Sequence, residues 1–196
     1  SAFFFGILNV LVAIWTLYLL GRDIVWANFL RGSAFLVLLI LALGFAYSDK
    51  LMSFAETASY QDQIIYAKSS RYQRIVLTKS SSDLRLFLNG NLQFSSRDEY
   101  RYHEALVHVG LAAIPSPKKV LVLGGGDGLA VREILKYPSV ESITLVDLDS
   151  EMTDLFAKHE GLVQLNGGAL TNSKVRVVNA DAFLWLRENR ETFDFV

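Results

Sequence analysis

Two stretches without a single charged residue open the chain, Ser1–Gly21 and Gly32–Ser48. A membrane-spanning helix needs roughly 20 mostly apolar residues, about 17 at the short end, so both are read as transmembrane helices. Trp15, Tyr18, Trp26 and Tyr47 lie near the segment ends, where amphipathic rings favour the membrane interface. A cleaved signal peptide would bring a basic start and one such stretch rather than two. Gly21–Arg31 links them and sets Arg22 and Arg31 against Asp23, a bias that alone would place this linker in the cytoplasm. Met52–Ser59 reads as a helical connector.

The pattern then shortens. Gln63–Ala67, Gln73–Thr78 and Leu84–Leu88 are β-rich runs parted by turn signals at Ser80-Ser81-Ser82-Asp83 and Asn89-Gly90-Asn91, which predicts a small antiparallel sheet. Asp98–Ala113 has helical spacing, with Tyr102, Leu106, Val109 and Ala113 on one stripe and acids near its start. Pro115-Ser116-Pro117 closes that segment.

From Val120 the period alternates between strand and helix. Val120–Leu123 is a buried-strand run, Gly124–Gly128 a glycine turn, Leu129–Tyr137 a helix stopped by Pro138, and Ile143–Val146 a second strand ending at Asp147. Met152–Lys158 continues as helix, Gly161–Asn172 as loop, Lys174–Val178 as a third strand, Phe183–Glu188 as helix, and Phe193–Val196 begins a fourth strand. Such alternation predicts a Rossmann-like, doubly wound parallel sheet. The chain divides as 1–50 (two transmembrane helices), 51–97 (connector and antiparallel sheet) and 98–196 (nucleoside-binding domain).

Strand, glycine turn, helix, strand, acid is the layout of a nucleoside crevice, with the acid roughly 20 residues past the turn accepting from ribose hydroxyls. A dinucleotide fingerprint wants glycine where Leu129 stands. The Gly-x-Gly-x-Gly spacing suits an S-adenosylmethionine-type nucleoside at least as well. Methyltransferases of this type carry an acid two residues before the first glycine, where this chain has Val122. Here the acid, Asp127, sits inside the turn and suits a ligand that is cationic at that end.

Composition narrows the chemistry. The chain has 196 residues, 52% of them hydrophobic, a net charge of −1 and no cysteine. Neither a disulfide framework nor a thiolate metal site is possible, and the charge gives no reason to expect nucleic acid. His103-Glu104 with His108 resembles a zinc helix motif, but Val107 occupies the place of its second histidine, so no metal is assigned. Arg132-Glu133 reads as a helix-surface pair, His108 and His159 as surface histidines, and Phe183 and Trp185 as core. The start at Ser1 and the cut strand at Val196 are those of a fragment of a longer protein.

Four blocks together resemble the polyamine aminopropyltransferases, represented by spermidine synthase, in a bacterial membrane-anchored form. They are Tyr72-Gln73; Leu88–Gln93 with Asp98–Glu104; Gly124–Gly128 with Arg132-Glu133; and Val146–Asp149. The resemblance spans about Tyr66–Val196 and implies aminopropyl transfer from decarboxylated S-adenosylmethionine, a co-substrate rather than a prosthetic group, to putrescine. Residue by residue, it implies that Gln73 and Gln93 contact the donor, that Asp127 pairs with the donor's ammonium or with polyamine, and that His103 lies near the polyamine. Asp147 would hold the ribose, and Asp181 with Ala182 would face the adenine. Many relatives have glutamate in place of Asp147. The family's catalytic aspartate would fall just beyond Val196. The resemblance also implies a possible homo-oligomer and, since the nucleoside is cytoplasmic, a catalytic domain on the cytoplasmic face of the inner membrane, against the charge bias of the linker. An S-adenosylmethionine methyltransferase and a non-catalytic polyamine sensor or transporter are the competing readings.

Overall fold

The computed structural model describes residues 2–20, 26–48, 50, 51 and 60–196. The expected connector Met52–Ser59, and Arg22 and Asp23 of the linker, lie outside the described residues. Two compact units divide the chain, Ser1–Gln61 and Asp62–Val196.

In the first unit α1 (Ala2–Leu20) and α2 (Ala27–Ala46) form an antiparallel hairpin. Both are long and apolar enough to cross a membrane by length and composition, and apart from Ala27 none of their residues is buried. Small residues let the helices approach closely. A Cβ on Gly6 would lie 3.3 Å from Leu41, and one on Gly44 would lie 2.6 Å from Phe3. Helix α2 starts before the charge-free stretch, so Arg31 is helical rather than part of a linker. Its guanidinium donates to the Leu17 carbonyl at 3.0 Å and satisfies one of the unpaired acceptors at the end of α1.

The second unit begins with an antiparallel meander, β1 (Gln63–Ser69), β2 (Arg74–Lys79), β3 (Leu84–Leu88) and β4 (Asn91–Ser95). Strand β4 was not expected, because Asn91 and Gln93 are poor strand formers. The turn specifies it: Asn89 (φ 51°) and Gly90 (φ 81°) form a two-residue hairpin loop that pairs Leu88 with Asn91. Helix α3 (Glu99–Leu111) follows.

Then come β5 (Lys119–Leu123), α4 (Leu129–Ile134), β6 (Ser142–Asp147), α5 (Ser150–Lys158), α6 (Glu160–Leu165), a 3-10 turn at Ala169–Thr171, β7 (Val175–Asn179) and α7 (Ala182–Glu188). The parallel sheet runs β5-β6-β7, and Phe195 pairs in parallel with Val120 on the free side of β5. Strand order therefore reverses at β5, the switch point where open α/β sheets bind ligands beyond their carboxyl ends. One core serves both sheets: Ile75, Leu77 and Leu86 join Val120, Ile143, Leu145 and Phe156, and Phe94 of β4 meets Phe156 of α5 edge-to-face at 6.0 Å.

Further expectations are overturned. The loop expected over Gly161–Asn172 contains most of α6 and the 3-10 turn. Phe183, expected in the core, is 73% exposed. The apolar stripe of α3 faces outward, with Tyr102, Leu106 and Val109 exposed, while Glu99, His103, Val107 and Leu111 are buried. Glu133, expected on the surface, is 1% exposed. The last two share a cause. Charged groups that satisfy one another can take the inner face of a helix, and hydrophobic periodicity does not register such pairing.

Candidate nucleoside and amine site

The glycine turn leaves β5 where its ladder to β6 ends, with the Gly124 N–H donating to the Val146 carbonyl at 2.8 Å. Gly124 (φ 80°), Gly125 (φ 75°) and Gly128 (φ 74°) are left-handed, which keeps the turn tight and its backbone open to a ligand. Buried Asn166 clamps the turn from behind by donating to the Asp127 carbonyl at 3.0 Å and the Phe156 carbonyl at 3.1 Å.

Beside this turn lies a cleft of about 310 Å³, lined by Gln93 and Phe94 of β4, Tyr102 and His103 of α3, and Gly124 and Asp127 of the turn. Three of the sequence-predicted residues, Gln93, His103 and Asp127, thus share one cavity. Asp127 Oδ1 accepts the Leu129 N–H at 2.9 Å. Burial pushes the Asp127 carboxyl above its ordinary value; the Leu129 N–H and the nearby His103 pull against this, and the Asp147 and Glu99 carboxylates reinforce it. A carboxylate held under such conditions gains from any cation brought beside it.

His103 is buried, and its Nδ1 lies 2.8 Å from Glu99 Oε2 and 2.9 Å from the Glu99 carbonyl. With only acceptors opposite, Nδ1 carries the proton, and in the neutral ring Nε2 is left with a lone pair. Arg132 clamps Glu99 through Nη1 (2.8 Å) and Nη2 (3.1 Å) and reaches Glu133 through Nε (2.9 Å). His108 Nε2 lies 3.0 Å from Glu133 Oε2, and its Nδ1 lies 2.9 Å from the Tyr137 hydroxyl, so His108 belongs to this network and not to the open surface. Burial alone would raise the Glu133 carboxyl; hydrogen bonds from Lys136 and Arg132 outweigh that and hold it below its ordinary value.

A second group gathers at the end of β6. Asp147 Oδ2 accepts the Gly126 N–H at 2.8 Å and Oδ1 accepts the Asp149 N–H at 2.8 Å. Each oxygen retains a second acceptor site. Gln73, from the β1–β2 turn, donates through Nε2 to Asp149 Oδ2 at 2.9 Å. The Ala180 N–H donates to the Asp147 carbonyl at 3.0 Å, which brings the segment after β7 to the same edge. There Asp181 Oδ1 accepts the N–H groups of Phe183 and Leu184 and caps α7, and Ala182 is the first residue of that helix. Gln73, Asp147 and Asp181 therefore gather at one sheet edge, but not in the cavity of Asp127 and His103.

Sequence reasoning gave no role to Glu99, Arg132, Asp149 or Asn166. Glu99, Arg132 and Asp149 lie inside the motif blocks, next to residues that were given roles. For Asn166 the adjoining Gly167-Gly168 was the available signal.

Fold, switch point and glycine turn together define an α/β protein with the Rossmann-like fold of the S-adenosylmethionine-dependent transferase type. Comparison with known proteins carries this further. The spermine/spermidine synthase domain matches residues 99–196, and the chain belongs to that family. It is 57% identical over 196 residues to a polyamine aminopropyltransferase of Leptospira interrogans, covering 100% of this chain and 39% of that protein. A polyamine aminopropyltransferase of Ralstonia nicotianae is 52% identical over 198 residues, with coverages of 99% and 39%. Spermidine synthase from Thermotoga maritima superimposes with a TM-score of 0.63 at 34% identity, over 67% of this chain and 46% of that one. A spermidine synthase in complex with the transition state analogue AdoDATO gives the same TM-score, 0.63, and identity, 34%. The chain thus spans about two fifths of the length of these curated relatives.

Proposed function

We propose that this chain carries the donor-binding part of an aminopropyltransferase that moves an aminopropyl group from decarboxylated S-adenosylmethionine to putrescine, giving spermidine and methylthioadenosine. In this reading Asp147 holds the ribose hydroxyls, Asp181 and Ala182 face the adenine, and Gln73 and Gln93 contact the donor. Asp127 pairs with the donor's ammonium, and His103 accepts from the polyamine. An amine nitrogen forms a bond to the carbon beside the sulfonium, the carbon–sulfur bond breaks, and its electron pair leaves with sulfur as a neutral thioether. The attacking amine must shed a proton first, and alignment of the two reactants supplies much of the rate.

The observation that carries the reading is the position of Asp127: a carboxylate inside the glycine turn, facing a cleft, with Val122 in place of the acid that a carboxylated donor's relatives use. Membership of the family and the fold likeness to spermidine synthases support it. The two apolar helices support a membrane-tethered protein, with the domain from 98 onward on the cytoplasmic face of the inner membrane, where the nucleoside is made, and association with further copies is part of the same proposal. The test is turnover: the intact protein given decarboxylated S-adenosylmethionine and putrescine should release methylthioadenosine. Absence of turnover with putrescine and with longer polyamines would refute it. Methyl transfer from the carboxylated nucleoside would establish the methyltransferase reading instead.

A further inference from the structure

Asp149 follows the β6 carboxylate by two residues, is buried, and has more partners than its local role needs. As the N-cap of α5 it uses one oxygen, Oδ1, which accepts the Glu151 N–H at 3.1 Å. The other, Oδ2, accepts the Ser70 hydroxyl at 2.6 Å and the Gln73 Nε2 at 2.9 Å, both from the β1–β2 turn. Ser70 Oγ in turn accepts the N–H groups of Tyr72 and Gln73, which makes the turn a fixed platform. The backbone N–H of Asp149 donates to Asp147. One residue thus ties the antiparallel sheet, through its side chain, to the acid at the end of β6, through its backbone N–H.

The chemistry of this tie is one-sided. An ionised carboxylate accepts and cannot donate, so Gln73 must turn its NH2 toward Asp149 and its carbonyl oxygen away. We propose that Asp149 is a positioning residue that fixes the polarity of the Gln73 amide, so that Gln73 turns its carbonyl oxygen, an acceptor, to the bound nucleoside. The inference rests on the reading of Gln73 and Asp147 as nucleoside contacts. Gln73 Oε1 and the two Asp147 oxygens then form an array of acceptors. That array selects a ligand bringing hydroxyl donors, a free ribose diol, and disfavours one bringing acceptors, such as a ribose phosphate. A site built to pair a hydroxyl rejects partners lacking it, because its own polar groups are left unsatisfied.

Asp149→Asn keeps a good N-cap residue, so α5 should still form. It places an amide NH2 against Gln73, whose own amide must then reverse and show its NH2 to the ligand. Calorimetric titration of the intact protein with methylthioadenosine should show the dissociation constant rising about tenfold or more. Gln73→Glu alone sets two carboxylates together and should weaken binding by a similar factor. Combining the two restores the acceptor: the introduced glutamate accepts from the introduced asparagine amide and presents its second oxygen. Affinity should return to within about threefold of the wild type, a recovery that a merely structural tie would not produce. Unchanged affinity in Asp149→Asn, or a double variant no better than the singles, overturns the inference while wild-type binding keeps the functional reading. Wild-type protein that binds no methylthioadenosine overturns both.

Discussion

Gly126→Ala tests the ligand role of Asp147 when it is read against a control of matched stability. Gly126 has no left-handed backbone, so alanine imposes no dihedral strain there. Its Cβ, however, would lie 2.8 Å from Asp147 Cγ and Oδ2, where ordinary contact begins near 3.4 Å. The carboxylate must withdraw by roughly 0.6 Å, which stretches the 2.8 Å bond from the Gly126 N–H beyond useful length. A hydrogen bond to a charged group is worth about 1.5–3 kcal/mol, and each 1.4 kcal/mol is a factor of ten. Methylthioadenosine should therefore bind about ten- to a hundredfold more weakly, and the buried Gly126 N–H, left without its partner, should lower stability by about 1–3 kcal/mol. Gly90→Ala is the control of matched stability. It lies at φ +81° with nothing within 4 Å of the new Cβ, so it should lower stability by about 1–2 kcal/mol and leave binding alone. Titration calorimetry and urea unfolding on both variants give the comparison. Full affinity in a folded Gly126→Ala protein would remove Asp147 from the site.

Three further outcomes follow from the buried charges. Asp127→Asn removes a carboxyl that burial pushes up, so folding of the ligand-free protein at neutral pH should become more favourable while affinity for the cationic donor falls; a melt and a titration of the same sample check both directions. For the wild type the sign is fixed: the folded state holds the Asp127 proton more tightly than the unfolded chain, so stability from this group declines as pH rises through the raised value, and donor binding strengthens over the same range. Glu99→Ala strips Arg132 and His103 of their shared acceptor and should cost about 3 kcal/mol in urea unfolding; a loss under 1 kcal/mol would show that Glu133 and the Leu165 carbonyl suffice for Arg132. At Asp83 burial alone would raise the carboxyl, but hydrogen bonds from Ser95, Arg85 and Ser96 hold it below its ordinary value. Its stabilisation is therefore present above the unfolded value and lost as pH falls through the folded one, and Asp83→Asn should flatten the acid limb of the stability curve.

The parallel sheet was legible because its strands are apolar runs closed by glycine, proline and acid, signals that depend on local chain chemistry. Expected ends fall within one or two residues of those observed for β5, β6 and β7. The last strand of the antiparallel meander was hidden: Asn91 and Gln93 advertise loop, and only the Asn89-Gly90 geometry shows why the chain turns back as a strand. The inner face of α3 was hidden for a different reason. Glu99 and His103 lie off the apolar stripe of that helix, and their neutraliser, Arg132, lies 33 residues from Glu99 in the chain and next to it only in the fold. The site shows the same divide. The glycine turn, Asp127 and Asp147 are local motifs, whereas Asp149 and Asn166 act by reaching across elements. Membership of the family bore out the resemblance carried by the motif blocks.

The central claim is that an acid inside the glycine turn matches a donor lacking its carboxylate. The most direct measurement is calorimetric titration of the intact protein with S-adenosylmethionine and with its decarboxylated form, under one buffer and salt. The decarboxylated nucleoside should bind tighter by about tenfold or more, and Asp127→Asn should erase the preference. Equal affinities, or tighter binding of the carboxylated form, would contradict it.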